Sequence, residues 1–420
     1  MKILLMTDMY YPYFNANGLC IDEIRKGLQE YNDEIHILCF RHVKEKKYEM
    51  YDGIYIHRVR PRIFFWLLWY YENNSNTYLG KIIYWIAFLQ NKFLKLMFFY
   101  WHPLASPIGL KRYKKYAKNI CKKYNIDIAV GQYVPLEAAY AVAQLRKTEK
   151  CKTILYVVDS FSNCRTAEKS KLVANRNWKW EQRLYPNVDR VINMECHRRH
   201  HEQARYNKYR DKMLFSDIPT LHPIEEVKSE NYSKMDRGKW NIIFNGTISN
   251  PVAFKMLAEI LQKKKKEWNV CLNIASKPST IVNQLVQKYD CIKYMGYLST
   301  KEMQNALLNA DAILSVGVLD SAMIPSKLFV ALSSGNKIIH IGSGNKDSCL
   351  QYLKKYENAY VADICDYNSE KSQDIVTGVF ENAIKSQAKR IPYDEIEKIY
   401  RENTPAYTAS LIRDIYFEQK

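Results

Sequence analysis

The chain has 420 residues, of which 47% are hydrophobic and 25% charged, so it is long enough for two or three globular domains with their own cores. Its 14 glycines and 13 prolines exclude collagen-like and low-complexity classes. Lysine and arginine number 63 against 44 acidic residues, and the net charge of +19 favours an anionic partner, whether a membrane surface, a phosphate-bearing substrate or a nucleic acid.

Cysteine usage and apolar runs indicate the compartment. The ten cysteines include no Cys-x-x-Cys pair, which argues against the common zinc-ribbon and redox motifs and favours a reducing environment. The first apolar run ends at Thr7 and is too short for the core of a secretory leader. Since no uncharged run reaches the ~18 residues that cross a bilayer, we expect a cytoplasmic protein.

Short runs rich in β-branched residues alternate with helical patterns, which predicts an α/β protein with doubly wound parallel sheets. In the first half, the predicted strands are residues 3–6, 34–40, 54–59, 127–131, 153–158 and 190–194. In the second half, they are residues 240–245, 270–275, 291–294, 312–316, 337–341 and 359–361. We therefore expect two Rossmann-like domains, 1–215 and 240–400, with a linker over 216–239 and a terminal helix over 401–420 that packs back onto the first domain.

The first predicted domain contains an unusual insertion, residues 61–126. Between Ile63 and Trp101 lie 15 of the 56 aromatic residues, and between Asn73 and Ile126 lie ten lysines and arginines but no acidic residue. Tryptophan and tyrosine favour the headgroup layer of a membrane, and lysines are attracted to anionic lipids. We predict that 61–126 lies on an anionic membrane surface, at the inner face of the cell membrane. The structural alternative is a helical hairpin whose aromatic side chains form core.

The same composition also suits single-stranded nucleic acid. No RNA-binding signature accompanies it, so a nucleic-acid partner is not expected. A basic nucleic-acid-binding protein is therefore kept only as an alternative function.

The loop after the first predicted strand lacks the Gly-x-Gly-x-x-Gly fingerprint, which argues against a dehydrogenase. It ends in Asn17-Gly18 at a predicted helix start, where amides can face an anion or a sugar hydroxyl. These two residues are candidate acceptor-binding residues, although the pair also suits an ordinary turn and cap. Asp159 follows the predicted strand 153–158, at a position where open sheets carry ligands, and is the candidate catalytic residue. A turn or cap aspartate is the alternative.

Residues 196–201 read Cys-His-Arg-Arg-His-His, which are metal-ligating types. No distant pair of ligands accompanies them, so we interpret the stretch as a basic surface helix and expect no metal site.

The second half carries three motifs in order: Gly246-Thr247 after a predicted strand, Gly296-Tyr297-Leu298 before a helix, and Ile324-Pro325-Ser326-Lys327 at the start of another helix. Between the last two lies the run 310–316, Ala-Asp-Ala-Ile-Leu-Ser-Val. This order resembles the C-terminal half of GT-B glycosyltransferases, particularly glycosyltransferase family 4 of the bacterial capsule and O-antigen type. The most specific part of the resemblance is residues 325–335.

The resemblance implies a GT-B fold of two Rossmann-like domains facing a cleft, with a nucleotide-sugar donor in the second domain and an acceptor on the first. It implies retention of the anomeric configuration, without a metal or other cofactor. The donor residues implied are Gly296, Tyr297 and Leu298 along the nucleobase, Ile324, Pro325, Ser326 and Lys327 at the diphosphate, and Gly246, Thr247 and Lys255 near it. A helix start with a lysine is suited to a diphosphate leaving group that gains charge.

One departure from the family is plain. The positions of the family's two glutamates are Ala322 and Val330 in this sequence, so neither carboxylate is present. Either Ser321 or Asp320 takes over their role, or the domain has no catalytic activity. The sequence therefore predicts a glycosyltransferase acting on a lipid-linked saccharide acceptor in cell-surface polysaccharide synthesis. A non-catalytic GT-B scaffold is the first alternative.

Overall fold

The computed structural model describes residues 1–42, 44–101, 106–224, 235–236, 238–317, 324–344 and 347–418. Its contacts divide the chain into two compact units. The first holds Met1–Pro219 together with Pro405–Lys420, and the second holds Thr220–Thr404. Each unit is built on its own sheet, as the predicted fold class requires.

The strands of the first unit are β1 (Lys2–Met6), β2 (Glu34–Phe40), β3 (Tyr48–Tyr51), β4 (Ile54–Val59), β5 (Ile128–Gln132), β6 (Lys152–Val157), β7 (Arg190–Met194) and β8 (Met213–Ser216). They form one sheet in the order β3-β4-β2-β1-β5-β6-β7-β8, in which only β3 is antiparallel to its neighbour. Ile3, Leu4 and Leu5 of the central strand β1 are fully buried, because both faces of the sheet are covered. The sequence did not reveal β3 or β8, since each has four residues and β3 is largely exposed.

The helices of this unit that precede the second unit are α1 (Ala16–Gln29), α2 (Ile63–Asn73), α3 (Tyr78–Met97), α4 (Pro107–Tyr124), α5 (Leu136–Thr148), α6 (Arg165–Lys169), α7 (Lys171–Leu184) and α8 (Arg198–His201). Helices α2, α3 and α4 make up the predicted insertion. They do not share one environment. Helix α4 packs on α5 and buries Leu110, Tyr113 and Ala117, and the Tyr113 hydroxyl lies 2.7 Å from the carbonyl oxygens of Thr7 and Leu38. The C-terminal part of the insertion is therefore core.

Helices α2 and α3 pack on each other as a hairpin, and most of their large apolar side chains are exposed. The core alternative thus holds for α4 but not for most of this hairpin. Among the described residues, no helix is both long enough and apolar enough to cross a membrane.

The strands of the second unit are β9 (Trp240–Asn245), β10 (Val270–Ala275), β11 (Ile292–Gly296), β12 (Ala312–Val316), β13 (Lys337–Ile341) and β14 (Ala359–Ala362). They form an all-parallel sheet in the order β11-β10-β9-β12-β13-β14. Its helices are α9 (Pro251–Trp268), α10 (Thr280–Lys288), α11 (Thr300–Asn309), α12 (Lys327–Ser333), α13 (Leu350–Leu353), α14 (Glu370–Lys385) and α15 (Tyr393–Ile399). All six predicted strands are confirmed. Strand β10 is buried throughout, whereas the edge strand β11 is mostly half-buried and contains the exposed Lys293.

The last helix, α16 (Pro405–Phe417), belongs to the first unit, as predicted. It packs closely against α1, where a β-carbon on Gly27 would lie 2.6 Å from the carbonyl oxygen of Pro405. Arg413 of this helix forms an ion pair with Asp33, and Thr408 Oγ1 lies 3.0 Å from Ser216 Oγ at the end of β8. Polar contacts therefore tie the chain terminus to this unit as well as apolar packing.

Candidate functional site

Parallel strands end at one edge of a sheet, so the residues that follow them come together. In the first unit this edge carries Asp8 after β1 and Asp159 after β6, and α1 begins beside it. The sequence singled out Asp159 but not Asp8, although both follow a buried strand. The same rule applied to β1 would have found Asp8.

The loop before α1 is held by a chain of hydrogen bonds. Asn15 caps the helix by accepting from the Gly18 amide at 2.9 Å, and it donates to Asp8 Oδ2 at 2.6 Å. A β-carbon on Gly18 would lie 2.0 Å from the carbonyl oxygen of Met9, so glycine is required by packing. The Gly18 amide is thus used by the cap. Asn17 lies beside it, with its carbonyl accepting from Gln132 at 3.2 Å.

Asp8 is a half-buried carboxyl at this edge. Burial raises the pKa of Asp8, although hydrogen bonds from the Met9 amide and from Asn15 oppose the shift. A carboxyl with a raised pKa at the carboxyl edge of a parallel sheet is suited to proton transfer.

Asp159 is exposed, and Glu181 of α7 holds the loop that carries it through hydrogen bonds. The fully buried Glu181 carboxylate accepts from Ser160 Oγ at 3.2 Å, from the Ser162 amide at 3.0 Å and from Tyr206 Oη at 2.6 Å. Burial raises the pKa of Glu181. Burial, together with the charge of Asp159, also raises the pKa of the Cys20 thiol in α1 to about 12.

The interpretation of residues 196–201 as a basic surface helix is wrong. His197, His200 and His201 are buried, and α8 has only four residues. Burial lowers the pKa of His200 and of His201 to about 3, so both are neutral at pH 7. His200 Nε2 lies 2.8 Å from Ser162 Oγ, which places it in the Glu181 network. The covering segment from Ala204 to Lys212 supplies Tyr206, a tertiary contact that the local pattern does not reveal.

In the second unit, the carboxyl edge of the sheet carries Gly246 after β9 and Gly296 at the end of β11. Gly246 adopts a φ of +151°, and a β-carbon there would lie 3.1 Å from the Lys327 ammonium nitrogen. The structure thus brings together two of the predicted donor-binding residues. Thr247, next to Gly246, is exposed.

Lys327 is exposed overall, yet the protein around its ammonium lowers the pKa of Lys327 through desolvation. Within the described ranges, which omit 318–323, no carboxylate pairs with it. A desolvated and unpaired cation against glycine backbone is suited to an anion. The remainder of the predicted diphosphate motif contributes less. Ile324 is buried, and the amides of Leu328 and Phe329 donate to the carbonyls of Pro325 and Ser326.

The predicted nucleobase segment lies at the edge strand. Gly296 has a φ of +78° with open space around it, and the Tyr297 side chain is 74% exposed, so its ring is free to stack. Leu298 is buried and packs into the unit. Lys255 lines a groove between α9 and α10 with Glu259 and Lys288.

Of the two positions where the family has glutamates, the structure describes only the second. Val330 is half-buried in α12, whereas Ala322, Ser321 and Asp320 lie outside the described residues.

Among the residues that the structure describes, one buried group of metal-ligating types is present. Donor atoms of His340, Asp347 and Cys349 lie within 4.8 Å of one another. The Asp347 carboxylate, however, lies 2.9 Å from His340 Nε2 and accepts from the amides of Ser343 and Cys349. These hydrogen bonds satisfy the carboxylate and fasten the loop after β13 to the sheet.

No protein-family model and no curated protein matches the chain. Solved structures match it over nearly its whole length. A sucrose-phosphate synthase from Thermosynechococcus elongatus aligns over 100% of both chains with a TM-score of 0.60 and 10% identity. A glycosyltransferase from Rickettsia africae aligns over 99% of this chain and 98% of its own, with a TM-score of 0.63 and 12% identity. A UDP-GlcNAc 2-epimerase from Methanocaldococcus jannaschii aligns over 99% and 100%, with a TM-score of 0.58 and 9% identity. At these identities the likeness establishes the fold alone, and the chain has the GT-B fold.

Proposed function

We propose that the protein is a glycosyltransferase, similar to family 4, that moves a sugar from a nucleotide-sugar donor to the hydroxyl of a lipid-linked saccharide. The observation that carries the proposal is the Lys327 ammonium, which is desolvated, unpaired among the described residues and held against Gly246. The proposed donor site is the carboxyl edge of the second unit's sheet.

The chemistry follows from the charge that develops on the leaving group. When the bond between the sugar and the diphosphate breaks, negative charge builds on the diphosphate oxygens. A fixed cation that faces this charge stabilises the transition state more than the ground state. Lys327 supplies that cation, and the exposed ring of Tyr297 offers a stacking surface for the base. Retention of configuration is carried over from the family resemblance.

The acceptor side is proposed for the carboxyl edge of the first unit's sheet. Asp159 would orient the acceptor hydroxyl or stabilise positive charge on the sugar, and Asp8, with its raised pKa, is a second proton acceptor. Glu181 positions the Asp159 loop through Ser160 and Ser162. Asn17 and Gly18 shape the rim of the same site.

The α2–α3 hairpin supports a membrane-bound acceptor. Trp85, Phe93 and Leu96 of α3 are 61%, 60% and 80% exposed, which is unusual for side chains of this size on one helix. Lys81, Lys92 and Lys95 are exposed on the same helix. A helix with these two features suits the interface plane of an anionic membrane. We therefore propose peripheral attachment at the inner face of the cell membrane and a role in cell-surface polysaccharide synthesis of the capsule or O-antigen type.

A second candidate comes from the comparisons. A sugar-nucleotide epimerase has the same fold over 99% of this chain, so the fold itself does not separate transfer from epimerisation. Product analysis does. The protein is incubated with UDP-, GDP- and ADP-sugars, with and without membrane lipid extract, and both fractions are analysed by mass spectrometry and chromatography. A sugar that appears on lipid only with extract supports transfer. An isomerised sugar nucleotide without extract supports the epimerase, and an unchanged donor with bound nucleotide supports the non-catalytic scaffold.

A further inference from the structure

Two pockets of the first unit meet at Arg60 and Arg112. One is an apolar cavity of about 330 Å³ between α3, α4 and the residues after β4. The other is a basic pocket of about 640 Å³ on the other side of the same two arginines. An apolar space and a cationic space that share a wall match the two parts of an amphiphilic anion.

The basic pocket is lined by six cationic side chains and no acidic one: Arg41, Lys47, Arg58, Arg60, Arg112 and Lys115. Arg58 is neutralised by ion pairs with Glu45 and Glu49. In the part of the chain that the structure describes, none of the other five forms an ion pair with a carboxylate, although Arg41 also lies near enough to the Glu45 carboxyl to lower its pKa. Five cations in one pocket repel one another, so their convergence favours an anionic ligand.

These cations are held in place without being neutralised. The guanidinium carbons of Arg41 and Arg60 lie 5.7 and 5.6 Å from the centre of the Trp66 ring. Arg112 donates to the carbonyl oxygen of Arg60 at 3.2 Å. Arg41 Nε is buried and has no hydrogen-bond partner, so it is left with an unused donor.

The apolar cavity has the opposite character. Ile63, Leu94 and Phe98 line it. Its one carboxylate, Glu137, is satisfied, because Arg62 donates to both carboxylate oxygens at 2.9 and 3.1 Å. This cavity therefore suits a hydrocarbon chain.

The pockets also lie at the edge where acceptor chemistry is proposed. Arg41 follows β2 and Arg60 follows β4, two strands that run parallel to β1. The Phe40 amide donates to the carbonyl oxygen of Asp8 at 2.7 Å, so the residue before Arg41 is hydrogen-bonded to the backbone of Asp8.

We propose that the two pockets form one site for a phosphorylated lipid, with its phosphate or diphosphate among Arg41, Arg60 and Arg112 and the first part of its hydrocarbon chain in the apolar cavity. The site's role as the binding place of the acceptor's carrier rests on the proposed function. A nucleic acid is less suited to the pocket, because the guanidinium groups of Arg41 and Arg60 already lie over the Trp66 ring, where a base would stack.

The test measures binding of farnesyl diphosphate, farnesol and inorganic pyrophosphate to the full chain by calorimetry, without vesicles. The proposal predicts that farnesyl diphosphate binds at least tenfold more tightly than either of the other two. Equal affinity for pyrophosphate would assign the pocket to a free anion and overturn the proposal, as would displacement by a single-stranded oligonucleotide.

Variants locate the site. Arg60→Gln and Arg112→Gln each weaken farnesyl diphosphate binding at least tenfold, whereas Lys122→Gln at the far end of α4 does not. Leu94→Gln, in the cavity wall, weakens it, whereas Leu79→Gln at the exposed start of α3 does not. Unchanged affinity in the arginine variants would contradict the site.

A nucleotide titration of the same samples separates this inference from the proposed function. Nucleotide binding without farnesyl diphosphate binding overturns the lipid site and leaves the transferase. Farnesyl diphosphate binding without any nucleotide binding retains the lipid site and overturns the transferase. The arginine variants must also keep the nucleotide response of the wild type, which shows that they are folded.

Discussion

Lys327 lies against the backbone of Gly246, with its ammonium nitrogen 3.1 Å from the place that a β-carbon on Gly246 would occupy. The two residues are far apart in the chain, and the fold joins them at the carboxyl edge of one parallel sheet. A glycine at this point lets the lysine approach the backbone, and desolvation lowers the pKa of Lys327 there. This contact therefore needs a glycine at position 246, and it places a cation, Lys327, beside that glycine.

Gly246→Ala tests the backbone requirement. Its φ of +151° disfavours any residue with a β-carbon, so we expect the free energy of unfolding to fall by about 1–3 kcal/mol. The added methyl also displaces the ammonium, so nucleotide affinity falls at least tenfold. Gly378→Ala is the matched control: it lies inside α14 with nothing within 4 Å, and alanine there stabilises by about 0.5–1 kcal/mol. Urea unfolding measures both, and an unaffected Gly246→Ala would contradict the geometry.

Asp159→Asn and Asp8→Asn test the acceptor side. Loss of a group that moves or orients a proton lowers the transfer rate by about 100-fold or more, while nucleotide affinity stays at the wild-type value. Asp414→Asn, an exposed position of α16, is the control that keeps full activity. Full transfer activity in both site variants would remove these carboxyls from the mechanism.

Glu181 makes the stability depend on pH in a defined direction. Its pKa is raised by burial in the folded state, so the folded protein favours the protonated form. That contribution is present in acid and is lost as the pH rises through the folded-state pKa. Compared with Glu181→Gln, the wild type should therefore lose stability as the pH rises above the ordinary pKa of a glutamate.

Asp189, in the same unit, makes the stability depend on pH in the opposite direction. Burial opposes ionisation there, but hydrogen bonds from the Thr153 hydroxyl and amide and the charge of Arg146 lower its pKa overall. Compared with Asp189→Asn, the wild type should lose stability as the pH falls through the acidic range. The urea midpoint of the wild type and of each variant, measured over a pH series, gives both pH dependences. If the stability difference from the wild type changed with pH in the same direction for both variants, this assignment would be contradicted.

The hairpin predicts vesicle binding that depends on both apolar and charged side chains. Replacing Lys81, Lys92 and Lys95 by glutamine removes about 1 kcal/mol each, or about 100-fold in affinity for anionic vesicles together. Serine at Trp85 and Phe93 weakens binding to neutral and anionic vesicles alike. Leu172→Ser, at a side chain that is 71% exposed on α7, is the control. If all of these variants floated with vesicles as the wild type does, the membrane contact would lie elsewhere in the protein.

The sequence predicts the sheets better than it predicts the site. The twelve predicted strands are present because most of them contain a short run of buried apolar residues, such as residues 3–6 in β1 and 242–244 in β9, which the local sequence reveals. The predicted surface character of His200 and His201 is wrong because their burial depends on Tyr206 and Glu181, which local residue types do not reveal. Asp8 was detectable from its place after β1.

The insertion shows the same limit. Helices α3 and α4 both combine apolar residues with several lysines, yet α4 buries its apolar face while α3 leaves its own exposed. Composition indicates how much apolar surface a segment has. Only the packing of α4 on α5 decides which part of that surface becomes core.

A thermal-shift panel of UDP, GDP, ADP and CMP tests the proposed role of Lys327 in a donor-diphosphate site. A nucleotide at 100 times its dissociation constant adds about 2.7 kcal/mol to the folded state. We predict that one nucleoside diphosphate stabilises the wild type and the Lys301→Ala control equally, and that Lys327→Ala loses the shift. Stabilisation of Lys327→Ala to the same extent, or no response of the folded wild type to any of the four, would contradict the account.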